Sequence, residues 1–184
     1  SICQCEKCEG KDSPDRPFHA QLSNYVWGYV DRVAREVYQT HPDRKIVGMS
    51  YNTYRYPPTN IDKFSPNVVV SIVQGRSHFQ QDPEARELIH QLRKGFLPLL
   101  GGDQARLMQD DHYRITDAVP GFYPHAIAED LHSLKGISLG DFVDINRGGW
   151  QGLDPIMAIQ HLNIYVTGRF WWDADQDIDA LLDE

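Results

Sequence analysis

The run Asn67-Val-Val-Val-Ser-Ile-Val73 constrains this chain more than any other stretch. It is β-branched and apolar on both faces, so neither face of the strand it forms suits water. Strands of this kind lie in parallel sheets covered by helices. Three more segments read as strands, at about 45–51, 105–110 and 137–145. The segments between them carry helical periodicity. Leu22, Tyr25, Val26, Tyr29, Val30, Val33, Ala34 and Val37 repeat at three- and four-residue spacing, which predicts an amphipathic helix with a tyrosine stripe in its core face. Asp31, Arg32, Arg35 and Glu36 fall on the opposite face. His41-Pro42-Asp43 ends that helix.

A second helix opens at Asp82-Pro83-Glu84, which supplies an N-cap, a first-turn proline and a first-turn acid. Ala85, Leu88, Ile89, Leu92 and Phe96 form its apolar face, and Pro98 stops it. A shorter helix spans about 125–134, with Ile127, Ala128, Leu131 and Leu134 inward and Glu129 and Asp130 read as surface or capping groups. Asp154-Pro155 opens another, with Ile156, Ile159, Leu162 and Val166 apolar. About fifteen residues without helical periodicity separate the first two strands, enough for an irregular parallel crossover. Alternating strands and helices predict an α/β fold with a parallel sheet. A (β/α)8 TIM barrel takes about 250 residues. The 184 residues here suffice for parallel βα units forming about half of one, as a single domain or fragment over 1–184. No G-x-G-x-x-G or G-x-x-x-x-G-K-[ST] occurs, which removes the best evidence for a nucleotide-binding doubly wound sheet.

Composition narrows the partners. Hydrophobic residues are 41%, charged residues 24%, and the net charge is -8. That balance excludes a nucleic-acid backbone, because no basic stripe exists to displace its counterions. No run is apolar enough to span a bilayer. The chain opens at Ser1 without Met and stops at Glu184 within a helical pattern, so we expect a fragment of a longer protein. The aromatic content of 11%, with four Trp and nine Tyr, suits sugar rings as well as a core.

Chemistry concentrates where strands give out. The apolar run 105–108 changes abruptly to Gln109-Asp-Asp-His-Tyr-Arg114. In α/β enzymes, carboxylates at the C-terminal end of a strand build the site. The last strand exits similarly, at Asp144-Ile-Asn146-Arg-Gly-Gly-Trp150. Tyr51-Asn-Thr-Tyr-Arg-Tyr-Pro-Pro58 and Gln74-Gly-Arg-Ser-His78 leave the first two strands. Two further clusters lie outside this pattern. Cys3-Gln-Cys5-Glu-Lys-Cys8 is tight enough for three thiolates to converge on one soft metal, with a fourth ligand such as His19. A disulfide between two of the three, or a reduced packed loop, explains the same spacing. Asp173, Asp175, Asp177 and Glu184 match acidic positions of a calcium loop, but Ile178 occupies the required glycine position. The aspartates are more simply read as capping the helix of Ile178, Leu181 and Leu182.

Several of these blocks, taken in order, resemble a known family. They are Cys3-Gln-Cys-Glu-Lys-Cys8, the helix Tyr25-Val-Trp-Gly-Tyr-Val-Asp-Arg-Val-Ala34, Pro57-Pro58 followed by Pro66-Asn-Val-Val-Val70, Asp130-Leu on the short helix, and Trp172-Asp-Ala-Asp-Gln-Asp-Ile-Asp-Ala-Leu-Leu-Asp-Glu184. Their order and spacing resemble the bacterial domain of unknown function 4838, a glycoside-hydrolase-like TIM-barrel family similar to α-glucuronidases and β-hexosaminidases. The resemblance implies that Ser1 lies just beyond the fourth barrel strand and that a missing N-terminal half, or a second copy, completes the barrel. It also implies an essential acid before residue 1, and it supplies no catalytic residue within these 184.

The expected activity is hydrolysis of a glycosidic bond, which needs one protonated and one ionised carboxyl group. Asp110, Asp111 and Asp144 are the catalytic candidates. Tyr51, Tyr54, Tyr113 and Trp150 are candidates for stacking on sugar faces, and Asn52, Gln74, His112 and Asn146 for bonding hydroxyls. We expect a carbohydrate substrate, no cofactor, and an extracytoplasmic (secreted or periplasmic) setting. The alternative is a non-catalytic glycan-binding or scaffold domain with a structural metal at Cys3, Cys5 and Cys8.

Overall fold

A computed structural model describes residues 3, 5–114, 121–146 and 160–184. Four strands form one parallel sheet: β1 (Ile46–Ser50), β2 (Val68–Gln74), β3 (Leu107–Arg114) and β4 (Gly140–Asn146). They pair in chain order, β1-β2-β3-β4. The helices are α1 (Ser23–Thr40), α2 (Pro83–Phe96), α3 (Pro124–Leu134), α4 (His161–Trp172) and α5 (Ile178–Leu182). The fold is α/β, as the alternation predicts. Every residue of β2 is buried. Residues 51–67 cross from β1 to β2 with a single 3-10 turn, Asn52–Tyr54, where the sequence predicts an irregular crossover. No helix among the described residues is long and apolar enough to cross a membrane.

The register separates the two faces of the sheet. Ile46, Gly48 and Ser50 of β1 stand beside Val68, Val70 and Ile72 of β2. Val70, Ile72 and Gln74 stand beside Leu107, Gln109 and Asp111 of β3. This set faces the helices. Alternation puts Val47, Met49, Val69, Ser71, Val73, Met108, Asp110, His112, Phe142 and Asp144 on the other face. There Val47, Met49 and Phe142 are 55%, 44% and 53% exposed. Large apolar side chains in that position mark a sheet face with no helix layer over its outer strands among the described residues.

Helix α1 turns a different side inward than its tyrosine stripe predicts. Tyr25 and Tyr29 are exposed, whereas Ser23, Trp27, Asp31 and Ala34 are buried. The reason is Gly48 on β1. A Cβ there would lie 2.5 Å from the Trp27 ring, so the indole occupies the space that a side chain would otherwise fill. It stacks near Phe96 at 4.9 Å and Phe64 at 5.5 Å, and its Nε1 donates to the Tyr54 carbonyl at 3.0 Å. Asp31, expected at the surface, accepts from the Ser65 amide and from Arg35, each at 2.7 Å.

The other helices follow their sequence signals. Asp82 caps α2 by accepting from the Ala85 amide at 3.0 Å. Ile127, Ala128, Leu131 and Leu134 of α3 are buried as expected. Glu129 is exposed and pairs with Arg86 at 2.6 Å. Asp130 is a correction, being 2% exposed rather than a surface group. In α4, Val166 is buried. The predicted start of that helix at Asp154-Pro155, with Ile156 and Ile159, lies outside the described residues. Asp177 caps α5 through the amides of Asp179 and Ala180 at 2.9 and 3.2 Å. Asp175 pairs with Lys135, and Glu184 with Arg169 at 2.8 Å. Those carboxylates of the acidic run are therefore engaged in capping and ion pairs.

Candidate functional site

The expected strand exit at Asp110-Asp-His-Tyr113 is strand, because β3 continues to Arg114. This changes the chemistry available. In an extended strand consecutive side chains point to opposite faces, so the four candidates divide into two pairs. Asp110 and His112 project from the open face. Asp111 and Tyr113 project into the helix layer, where Tyr113 meets the Thr167 hydroxyl of α4 at 2.5 Å. Asp110 and Asp111 therefore do not share one site.

On the open face, β4 brings Asp144 directly beside His112, with Phe142 beside Asp110. Asp110 and Asp144 are diagonal neighbours. His112 Nε2 stands 3.4 Å from Asp110 Oδ1, close enough for charge attraction but without hydrogen-bond geometry. That buried Oδ1 has no hydrogen-bond partner among the described residues. Burial pushes the Asp110 carboxyl above the ordinary range; His112 opposes this, and Asp144 and Asp141 add to it. One carboxyl group that resists ionisation beside a second carboxylate is the electrostatic arrangement that acid–base pairs use.

A cavity of about 320 Å³ lies next to this group, at the C-terminal ends of β1 to β3. Tyr51, Asn52 and Arg55 come from the turn after β1, and Ser77 and His78 from the turn after β2. His112 enters from β3, and its ring centre lies 6.5 Å from that of Tyr51. His19, from the 3-10 turn Phe18–Ala20, closes one side, its Nδ1 3.1 Å from the Asn52 carbonyl oxygen. Asn52 sits at φ 46°, a left-handed conformation that asparagine tolerates better than most residues. Arg55 donates to the Val73 carbonyl at 3.3 Å, while its buried Nε has no partner among the described residues. Burial lowers its pKa.

The cavity gathers Tyr51, Asn52 and His112 from the expected binding set. Tyr54 does not line it. Gln74 borders it, but its amide turns to the helix side, donating to Asp130 and accepting from Arg93 at 2.9 Å each. Asn146 ends β4, and its side chain, like all of Trp150, lies outside the described residues. His19, Arg55 and His78 were not anticipated as cavity residues. The signal for them was slight: Arg55 and His78 fall within the two strand-exit stretches already singled out.

Comparison with known proteins adds one finding. Residues 1–94 match the sequence profile of a family described as a domain of unknown function, DUF4838. The chain belongs to the DUF4838 family. No curated protein and no solved structure matches it. The DUF4838 match contains every cavity residue named above except His112. Asp110, His112 and Asp144 lie beyond it.

Behind the cavity, on the helix side, the DUF4838 chain holds a buried polar network. Arg76 is 0% exposed. Its guanidinium meets Asp130 and Asp141 at 2.8 Å and Asp111 at 3.1 Å. Arg93 meets Asp130 at 3.1 Å and also donates to Gln109 and Gln74. Two guanidiniums thus face three carboxylates. For Asp130, burial is outweighed by Arg76 and Arg93, and its pKa falls below the usual range. Asp111 takes the opposite course. Burial, reinforced by Asp141 and Asp130, overcomes Arg76 and lifts it to about 7. Helical phase held a clue to this network, since Arg93 falls four residues after the buried Ile89 and Asp130 three after Ile127.

The cysteines also converge. The Sγ atoms of Cys3, Cys5 and Cys8 all lie within 4.8 Å of one another. Cys5 is lowered by hydrogen bonds with the Cys3 and Cys8 thiols, while Cys8 is pushed up to about 11 by its bonds with Cys5 and Cys3.

Proposed function

We propose that this DUF4838 chain is the C-terminal half of a glycoside-hydrolase-like (β/α)8 barrel and binds its sugar in the cavity above β1 to β3. The observation that carries this reading is Asp110: buried, its Oδ1 without a hydrogen-bond partner among the described residues, beside His112 and diagonal to Asp144 on the open sheet face. Asp110 serves as the general acid, its burial favouring the protonated carboxyl. Asp144, half-buried on the neighbouring strand, serves as the second carboxyl group. His112, in the cavity wall, stands 3.4 Å from the acid. Tyr51 offers a ring face to the sugar, and Asn52 and His78 offer hydrogen bonds to hydroxyls. Strands paired in chain order, helices on one face and an opposite face whose outer strands expose Val47, Met49 and Phe142 support the barrel. An N-terminal half, or a second copy, covers that open face. The protein acts outside the cytoplasm, in a secreted or periplasmic setting.

The test is turnover of a panel of aryl glycosides and oligosaccharides by the full-length protein and by Asp110→Asn and Asp144→Asn. Each variant should lose about 10²-fold or more in kcat, the usual contribution of a positioned acid or base. Unchanged turnover in both would overturn the assignment.

A second reading is glycan binding without turnover. It is favoured by the cavity lining, which contains no carboxylate residue among the described residues. Titration calorimetry separates the two: sugar binding by a wild-type protein that hydrolyses nothing supports the binding domain.

A further inference from the structure

Three exposed or half-exposed thiols at one point of the surface have no packing role to explain them. Unpaired cysteine is among the most buried residue types in folded proteins, yet here Cys3 and Cys5 are exposed, Cys8 is half-buried and all three are free. A tight turn brings them together. The Cys5 carbonyl accepts from the amides of Cys8 at 2.8 Å and Glu9 at 3.0 Å, folding Cys5-x-x-Cys8 back on itself while Cys3 closes the third side. The resulting sulfur separations, all within 4.8 Å, need little adjustment. Thiolates held 2.3 Å from a tetrahedral Zn2+ ion stand roughly 3.8 Å apart.

We propose that Cys3, Cys5 and Cys8 together bind one Zn2+ ion, with the fourth position taken by water or another exchangeable ligand. Thiolate sulfur selects soft ions of this kind over calcium or magnesium. Each cysteine exchanges its S–H bond for a S–Zn bond and releases its proton to solvent, so binding weakens as the pH falls. His19 is not the fourth ligand. It lines the sugar cavity, its Nδ1 is directed at Asn52, and no histidine joins the sulfur cluster among the described residues. The ion acts as a clasp on residues 3–8. The chain beyond is already anchored, through Lys11 over the Tyr25 ring, the Ser13 amide on the Gln21 carbonyl and Arg16 on the Pro57 carbonyl. The site therefore stands independently of the proposed hydrolase or glycan-binding activity.

Titration of the reduced protein with Zn2+, read by competition with a chromophoric chelator, tests it. One equivalent per chain is expected, lost in Cys3→Ser, Cys5→Ser and Cys8→Ser and kept in His19→Ala. Because Cys3 and Cys5 lie at the surface, those two variants should retain the wild-type circular dichroism spectrum. With Co2+ in place of Zn2+, the thiolate-to-metal absorption should correspond to three sulfurs. Absence of stoichiometric binding by the reduced wild-type protein would overturn the site. So would binding that survives all three serine substitutions, or a Cys–Cys disulfide in protein purified with zinc and without reductant. None of these readouts depends on turnover, so failure here leaves the sugar site standing, and the reverse.

Discussion

Burial lifts the Asp111 carboxyl to about 7, with Asp141 and Asp130 adding to the effect and Arg76 opposing it. The ordinary value is 3.8, so between the two the unfolded chain has given up a proton that the folded chain keeps. Stability contributed by this group is present at low pH and lost as the pH rises from 3.8 towards 7. Asp130 works in the other sense, because its folded pKa is depressed: its contribution is present above its ordinary value and lost as the pH falls. Asp111→Asn should remove the decline between 3.8 and 7 and leave the acid-side loss from Asp130 in place. Urea midpoints measured across that range, in the wild type and the variant, check this; parallel curves would count against it. Removing a partner outright is a different matter. Asp130→Ala would leave Arg76 and Arg93 short of a carboxylate they share, which should cost about 3–5 kcal/mol in chemical denaturation.

At the scale of elements, the decisive contact is that of α1 with β1. Gly48 has no side chain, and the Trp27 indole lies where one would be. Gly48→Ala forces the ring or the strand to move and should destabilise the fold by about 1–3 kcal/mol, the usual range for overpacking a core. Thermal denaturation measures it, and a wild-type midpoint would show that α1 is not held by this contact. Helix α2 offers a milder change. Asp82→Ala removes a side-chain cap from the Ala85 amide and should cost about 1 kcal/mol. The existence of both helices was readable in their periodicity and breakers. The phase of α1 was not. Tyr25 and Tyr29 satisfy helical spacing as well as Ser23, Trp27 and Asp31 do, and the space over Gly48, which takes the Trp27 indole and a Val30 methyl, chooses between them.

For the whole molecule, the open sheet face sets the expected behaviour. Val47, Met49 and Phe142 place exposed apolar surface on the outer strands β1 and β4, a pattern that invites association. If the barrel reading holds, residues 1–184 prepared alone should self-associate in sedimentation velocity runs, and Val47→Lys with Phe142→Lys should return the monomer. A monomeric wild type at every concentration would argue that this face needs no cover. The sequence by itself determined the βα alternation, the parallel sheet and most helix ends, because periodicity, caps and prolines are local properties of the chain. It also singled out Tyr51, Asn52 and His112, which line the cavity, since polar residues interrupt the apolar strands there. Only the tertiary structure decided which residues share a surface. Asp110 and Asp111 are adjacent in the chain, yet alternation sends one to the open face and the other to Arg76. Arg76 and Asp141 are 65 residues apart in the chain and meet at 2.8 Å. A local pattern cannot encode such pairings, because they depend on strand register and helix phase, which are settled only when the layers pack.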